Sequence, residues 1–315
     1  MNRDISSISL QEDFLLWVDV AVRNGLWELR RALSESLPVS INQQTYREPT
    51  TARQIAKQLS ELLQKSELDS PSVRLTLPGR FFLVKKVKVP AAISPSDYQD
   101  FVAFEFEKIW NEDRNNYHVY LPEFSRQNGH IKEILALAIR KEVLGFIEEI
   151  AQMANLNPEI ITPAYFTVEE FFRKTHPDLT GLNLLLGWQR HGYDIIISDE
   201  HNFVSYQFRP YNTNFDDIDK LEEEELISGF EAVVEEIQHP PILDKNVYSV
   251  QGIYLYGFHF KPSWMALLKA QVPISLQLFN LDEVTSLKLQ PAGEHIKTDQ
   301  IHQFIEPISN VMAFE

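Results

Sequence analysis

Leu77-Pro78-Gly79, Lys86-Val87-Lys88-Val89-Pro90, Phe104-Glu105-Phe106-Glu107-Lys108 and Ala136-Leu137-Ala138-Ile139-Arg140-Lys141-Glu142-Val143 follow one another between Ser72 and Pro163. This stretch decides the fold. Val73 to Leu77 and Phe81 to Val89 alternate apolar and polar residues as strands do, and Pro78-Gly79 turns the chain between them. Ser94-Pro95-Ser96-Asp97 marks a helix start: Ser as cap, Pro at the first helical position, and a carboxylate able to reach back. The helix runs to about Trp110 with Tyr98, Val102, Phe106 and Ile109 on one face. Tyr117 to Leu121 and Ile131 to Ile139 are two further strands. A second helix, Lys141 to Ala154, ends at Asn155 as a left-handed cap, with Pro158 following. The segment therefore reads strand-strand-helix-strand-strand-helix.

The same α/β grammar extends outward. Upstream, Phe14 to Val22 is the first strand expected, Asn24-Gly25 a turn, and Thr51 to Lys65 a helix with Ile55, Leu59, Leu62 and Leu63 recurring at its spacing. Downstream, strands are expected at Leu182 to Leu186, Tyr193 to Ser198 and Phe203 to Arg209. A helix at about Leu221 to Gln238, a strand at Ile253 to Tyr256, a helix opened by Pro262 and a strand at Pro273 to Phe279 complete a second, similar half.

Composition narrows the function classes. With 315 residues, 44% of them hydrophobic, the chain can bury a real core. A balance of 29 Lys and Arg against 45 Asp and Glu, net −16, disfavours nucleic acid and direct adhesion to anionic lipid. The absence of cysteine removes disulfides, thiolate zinc sites and thiol nucleophiles. No apolar run approaches the ~20 residues that span a bilayer, and residues 1–12 lack a signal-peptide layout, so a cytoplasmic protein without membrane insertion is expected.

Catalytic motifs are missing. The 11 glycines form neither G-x-G-x-x-G nor a phosphate-cradling P-loop, and no H-E-x-x-H or G-x-S-x-G occurs around the histidines or around Ser205, Ser249 and Ser263. His191 and His201 flank one strand as a conceivable metal pair, with surface histidines the plainer reading. The seven carboxylates from Asp216 to Glu225 read first as a solvated helix start and second as a patch for a cation or basic partner. Phe81-Phe82, Phe171-Phe172 and Tyr254 with Tyr256 are read as core before docking surface.

The order and spacing of the motifs between Ser72 and Pro163 resemble PilM, the actin-like protein of type IV pilus assembly in the FtsA/PilM branch. The resemblance implies an α/β, actin-like fold of two RNase-H-like halves: 1–71 as the first part of half one, 72–163 as a strand-helix-strand-strand insert in it, 164–280 as half two, and 281–315 returning to half one. ATP-binding members carry a D-I-G turn after the first strand. The matching run here is Asp19-Val20-Ala21, with the turn glycine lost. The second-half D-I-G matches Gly187-Trp188-Gln189, and the adenosine-side Gly-Gly matches Gly257-Phe258, whose ring would fill nucleotide space. Asp19, Ala21, Gly187, Gln189, Gly257 and Phe258 are thus expected to be vestiges of a nucleotide pocket in a pseudo-ATPase, with no cofactor and no metal. By resemblance the function is a scaffold holding the cytosolic tail of a PilN-like bitopic membrane protein, in a type IV pilus or type II secretion-like assembly. The lack of a membrane segment separates it from GspL, whose actin-like domain is tethered by its own helix. Two alternatives remain open: a working actin-like ATPase or small-molecule kinase with non-standard phosphate contacts, binding ATP and Mg²⁺, and an unrelated α/β protein-binding module.

Overall fold

The computed structural model describes residues 3–24, 26–65, 68, 72–110, 113–122, 125–128, 131–199, 202–211, 218–238, 250–280, 289–291 and 298–313. The chain opens with β1 (Arg3–Leu10), β2 (Phe14–Arg23) and β3 (Leu26–Ser36), followed by α1 (Pro49–Gln64) and β4 (Ser72–Leu77). Next come β5 (Phe82–Pro90), α2 (Tyr98–Trp110), β6 (Tyr117–Tyr120), β7 (Ser125–Asn128), β8 (Ile131–Arg140) and α3 (Lys141–Met153). β9 (Pro158–Pro163) and α4 (Ala164–Thr175) lead to β10 (Leu182–Gln189), β11 (Gly192–Ser198), β12 (Phe203–Pro210), α5 (Glu223–Gln238) and β13 (Val250–Tyr256). The last elements are α6 (Trp264–Lys269), β14 (Ser275–Leu278), β15 (Leu289–Pro291) and α7 (Ile305–Met312). These elements form two compact units, one of residues 1–36, 66–77 and 158–315, the other of residues 37–65 and 78–157.

The first unit contains two sheets, of six and five strands, that share one five-strand order. One has the order β15-β3-β2-β1-β4-β9, the other β12-β11-β10-β13-β14. In each, three consecutive strands form an antiparallel meander and two later strands add in parallel beside the first of them. Parallel addition needs a crossover between the strands, which is why helices or longer segments separate them in sequence. The core of the second sheet gathers Leu184, Leu186, Trp188, Phe230, Val233, Ile253 and Leu255. Helix α7 buries Ile305, Ile308 and Val311, and it packs on α4 and on β1, β2 and β4.

Two expectations need correction here. The first strand is β1, not the run from Phe14 to Val22, which is the second. β1 reads as polar because it carries Ser6, Ser7 and Ser9. All three are fully buried and satisfied: Ser6 Oγ donates to Asp19, Ser9 Oγ to Glu306, and Asn310 Nδ2 donates to Ser7 Oγ at 3.3 Å. Buried polar groups are tolerated when hydrogen-bonded. The insert, expected over 72–163, is also narrower: Ser72–Leu77 lies between β1 and β9 in the six-stranded sheet, and Pro158–Pro163 pairs with it. The excursion from that sheet occupies residues 78–157.

In the second unit, β8 is the central strand. β5 pairs along one side of it, while β6 pairs with its Arg140 end and β7 with its Ile131 end. Val102 and Phe106 of α2 cover Val87, Val89, Val119, Ile134 and Ala136. Ile109, expected on the inward face, is 52% exposed instead. Ser94 does precede the helix, but its hydroxyl contacts Ser96 Oγ at 2.8 Å and the first turn is 3₁₀.

The end of α3 is as expected. Asn155 has φ +54°, its N–H donates to the Gln152 carbonyl, and the Leu156 N–H donates to the Ala151 carbonyl at 2.8 Å, which together make a Schellman motif. Asn155→Ala is expected to cost about 1 kcal/mol, because a β-carbon disfavours the left-handed region, whereas Asn155→Gly stays near wild type. Urea midpoints of the two variants check the difference.

Candidate functional site

All six expected pocket residues lie in the first unit. Asp19 lies in the middle of β2, across from Ser6, and not at a turn. Its carboxylate accepts from Ser6 Oγ at 2.6 Å and Trp17 Nε1 at 2.7 Å, and pairs with Arg31 Nε at 2.8 Å. The Arg31 guanidinium also lies over the Trp17 ring, 5.1 Å from its centroid. Asp19 is thus the hub of a buried structural cluster. Ala21 sits further along the same strand between Asp4 and Glu28.

The turn that does follow the first strand is Gln11 to Asp13, closed by Gln11 N donating to the Phe14 carbonyl. Its counterpart in the second sheet is Arg190-His191, between β10 and β11. The two turns meet. Arg190 pairs with Asp13, and His191 Nε2 stands 3.6 Å from Glu12 Oε2. Side chains of both hairpins converge on one carboxylate, Glu306 of α7. Ser9 Oγ donates to Glu306 Oε2 at 2.6 Å, Gln11 Nε2 donates to the same oxygen, and Gln189 Nε2 donates to Oε1 at 2.6 Å. Gln189 Nε2 also donates to Asp194 Oδ2 at 2.7 Å, and the Tyr206 hydroxyl donates to Asp194 Oδ1 at 2.7 Å.

Of the expected residues, then, Gln189 belongs to this cluster and Asp19 does not. Gly187 is in β10, where an added Cβ would lie 2.6 Å from the Tyr256 ring. Gly257 follows β13 with φ +115°, and a Cβ there would lie 2.5 Å from the Trp188 carbonyl oxygen. The Phe258 ring packs on Phe14 at 5.5 Å, with His259 edge-on to Phe14 at 5.1 Å. An aromatic cluster therefore stands where Gly257 and Phe258 leave the second sheet and approach the start of β2.

Burial raises the Glu306 carboxyl to about 7, assisted by the nearby Asp194 charge and opposed by the hydrogen bonds from Ser9, Gln189 and Gln11. Tyr206 and Tyr256 are pushed upward by burial first and by Asp194 next. The cluster is acidic, largely buried and supplied with donors that its own carboxylates occupy. Ser9, Gln11, Asp194 and Glu306 were not foreseen. Glu306 was visible only as a lone acid in Ile305–Met312, an otherwise uncharged run.

The remaining expected features fall as follows. Phe82, Phe171, Phe172, Tyr254 and Tyr256 are core, and Phe81 is half-buried. No cluster of three or more metal-ligating side chains exists among the described residues, and His201, Asp216, Asp217, Ser249 and Gly25 lie outside them. Glu222 to Glu224 are exposed at the opening of α5, and Glu225 is half-buried. No described helix is long and apolar enough to cross a membrane.

Two sheets with the same 3-2-1-4-5 order, whose first hairpins face each other, define an actin-like fold. Within that fold the structure is similar to the PilM-PilN type IV pilus biogenesis complex, with TM-score 0.74 and 13% identity over 98% of this chain and 96% of that one. It is also similar to the cytoplasmic domain of EpsL, an inner membrane component of the type II secretion system of Vibrio cholerae, at TM-score 0.54 and 8% identity over 98% and 94%. Ethanolamine utilization protein EutJ from Carboxydothermus hydrogenoformans gives TM-score 0.51 and 7% identity over 98% and 89%. No family model and no curated protein matches the sequence.

Proposed function

We propose that the protein is a non-catalytic actin-like scaffold that sits at the cytoplasmic face of a membrane and holds the tail of a bitopic partner in a pilus or secretion-type assembly. The likeness to the PilM-PilN complex and to the EpsL cytoplasmic domain supports the assembly role. One observation carries the loss of catalysis: Glu306 receives the donors of both sheet hairpins, Gln11 and Gln189. Phosphoryl transfer works by matching phosphate charge with donors and a metal ion. Here a carboxylate already occupies the donors, and Asp194 adds a second negative group beside it. A triphosphate would meet the Asp194 charge, and that of Glu306 where it is ionised, in a buried setting where charge interactions are weakly screened.

Calorimetric titration with Mg-ATP tests this. The expected result is no heat and no thermal stabilisation. Micromolar binding would overturn the reading and restore an active actin-like ATPase or kinase. The assembly role has its own test in cell fractionation with cross-linking. Recovery with inner membranes, cross-linked to a bitopic protein, is the expected outcome; a protein found only in the soluble fraction refutes it.

A further inference from the structure

A cavity of about 280 Å³ lies in the first unit between α5 and the β11–β12 hairpin, lined among others by Tyr193, Arg209, Tyr211, Glu225, Ser228 and Gly229. Tyr193 is 2% exposed, and its hydroxyl has no hydrogen-bond partner among the described residues. That hydroxyl reaches the backbone of α5 where Gly229 leaves room: an added Cβ would lie 2.8 Å from it. One turn earlier on the same helix face is Glu225, whose buried Oε2 likewise has no hydrogen-bond partner. The Tyr193 ring meets Tyr211 edge-on at 4.9 Å. Arg209, the cation of the lining, is committed to Glu236 at 2.7 Å.

A buried acceptor without a partner is costly, so Glu225 Oε2, in the same cavity as the Tyr193 hydroxyl, points to a ligand that supplies donors. The ligand must be cationic to answer Glu225, and it must tolerate aromatic faces. A planar guanidinium does both: it carries five donors in a fixed fork, is weakly hydrated, and packs on Tyr rings. The volume falls below the range of roughly 300–1,000 Å³ usual for whole small molecules and suits a single side chain. Charge favours a basic partner as well. Of the Lys and Arg residues, 14 lie in the second unit beside 13 Asp and Glu, leaving 15 against 32 in the first. Glu222 to Glu224 stand exposed at the same helix end.

We propose that this cavity is a socket for an arginine side chain of a protein partner. It rests on the scaffold reading above for the partner being a protein. The contact would position the partner through one desolvated ion pair with Glu225 and a hydrogen bond to the Tyr193 hydroxyl, which requires no change in the rest of the fold.

The test uses the full chain with ¹³C-labelled tyrosine, Tyr193 being assigned by Tyr193→Phe. The probes are acetyl-Gly-Arg-Gly-amide, agmatine, 1,5-diaminopentane and acetate. The tripeptide and agmatine should shift the Tyr193 resonance with a Kd on the order of 1 mM, as a lone side chain would. The diamine should bind about tenfold more weakly, and acetate should not bind. Glu225→Gln should weaken the tripeptide about tenfold with the thermal midpoint preserved, and Glu225→Asp less so. No Tyr193 shift, an equal response to the diamine, or binding of acetate would each overturn the socket. Micromolar binding of agmatine beyond that of the tripeptide would make it a small-molecule site and overturn the partner assignment. Because the probes are isolated side chains, their failure leaves the membrane-fraction test of the scaffold untouched, and the reverse holds too.

Discussion

Glu306→Gln is expected to flatten the stability of the protein between about pH 4.5 and 7, and to stabilise it above that range. The Glu306 carboxyl is raised from 4.5 to about 7, so the native state holds its proton more tightly than the unfolded chain does. The stabilisation is fully present below 4.5, declines as pH rises, and is gone above 7. With about 1.36 kcal/mol per unit, the wild-type protein forfeits on the order of 3 kcal/mol across the window at this residue. Glutamine mimics the protonated acid and removes the slope. Ser9, Gln11, Gln189, Asp194 and Tyr256 surround the group, and the amides of Gln11 and Gln189 can turn to accept where they now donate. Urea unfolding of both proteins at pH 5 and pH 8 decides the matter: a difference that does not change with pH would refute the assignment. Glu306→Ala behaves differently, because it removes the acceptor shared by Ser9, Gln11 and Gln189 and opens a cavity, at a cost of about 3 kcal/mol or more at either pH.

Gly257→Ala is expected to cost several kcal/mol, on the order of 3 or more. The backbone there has φ +115°, and the new Cβ would lie 2.5 Å from the Trp188 carbonyl oxygen and 2.8 Å from the Trp188 nitrogen. Those are backbone atoms of a central strand, and the Trp188 ring is fully buried among Tyr193, Phe260 and Trp264. Relief would have to come from moving β10 against β13, which breaks the ladder. Gly145, within α3, meets nothing within 4 Å. Gly145→Ala should therefore stabilise by about 0.5–1 kcal/mol, which is the helix-propensity difference. Opposite signs at the two glycines are the result to look for in the urea midpoints.

The parts of the fold that rest on local chemistry were legible. Asn155 as a left-handed cap, the helix from Thr51 to Lys65 and the alternating strand from Phe81 to Val89 follow from turn residues and spacing. β1 was hidden because its serines find partners only across the sheet and in α7, which local pattern cannot show. That loss displaced the supposed turn to Asp19, which belongs instead to a cluster with Ser6, Trp17 and Arg31. Helix α4 escaped notice as well, since Phe171 and Phe172 were weighed only as core or docking surface and both prove buried. Gln189 comes to the right hairpin only through the likeness of Gly187-Trp188-Gln189 to a D-I-G turn, while its partner Glu306 lies 117 residues away in sequence.

That distance bears on how the molecule reaches its native state. Ser9 and Glu306 are separated by 297 residues, and Arg74 reaches the carbonyls of Asn310 and Val311 across 236 and 237. The helix that covers β1 and β4 is therefore supplied by a segment made long after those strands. During synthesis the first sheet must wait with that face bare, its serines and Arg74 lacking their α7 partners, while the entire second sheet is assembled. Loop closure over such spans is entropically slow, so docking of α7 is expected to be the late event that converts two preformed sheets into one cooperative unit.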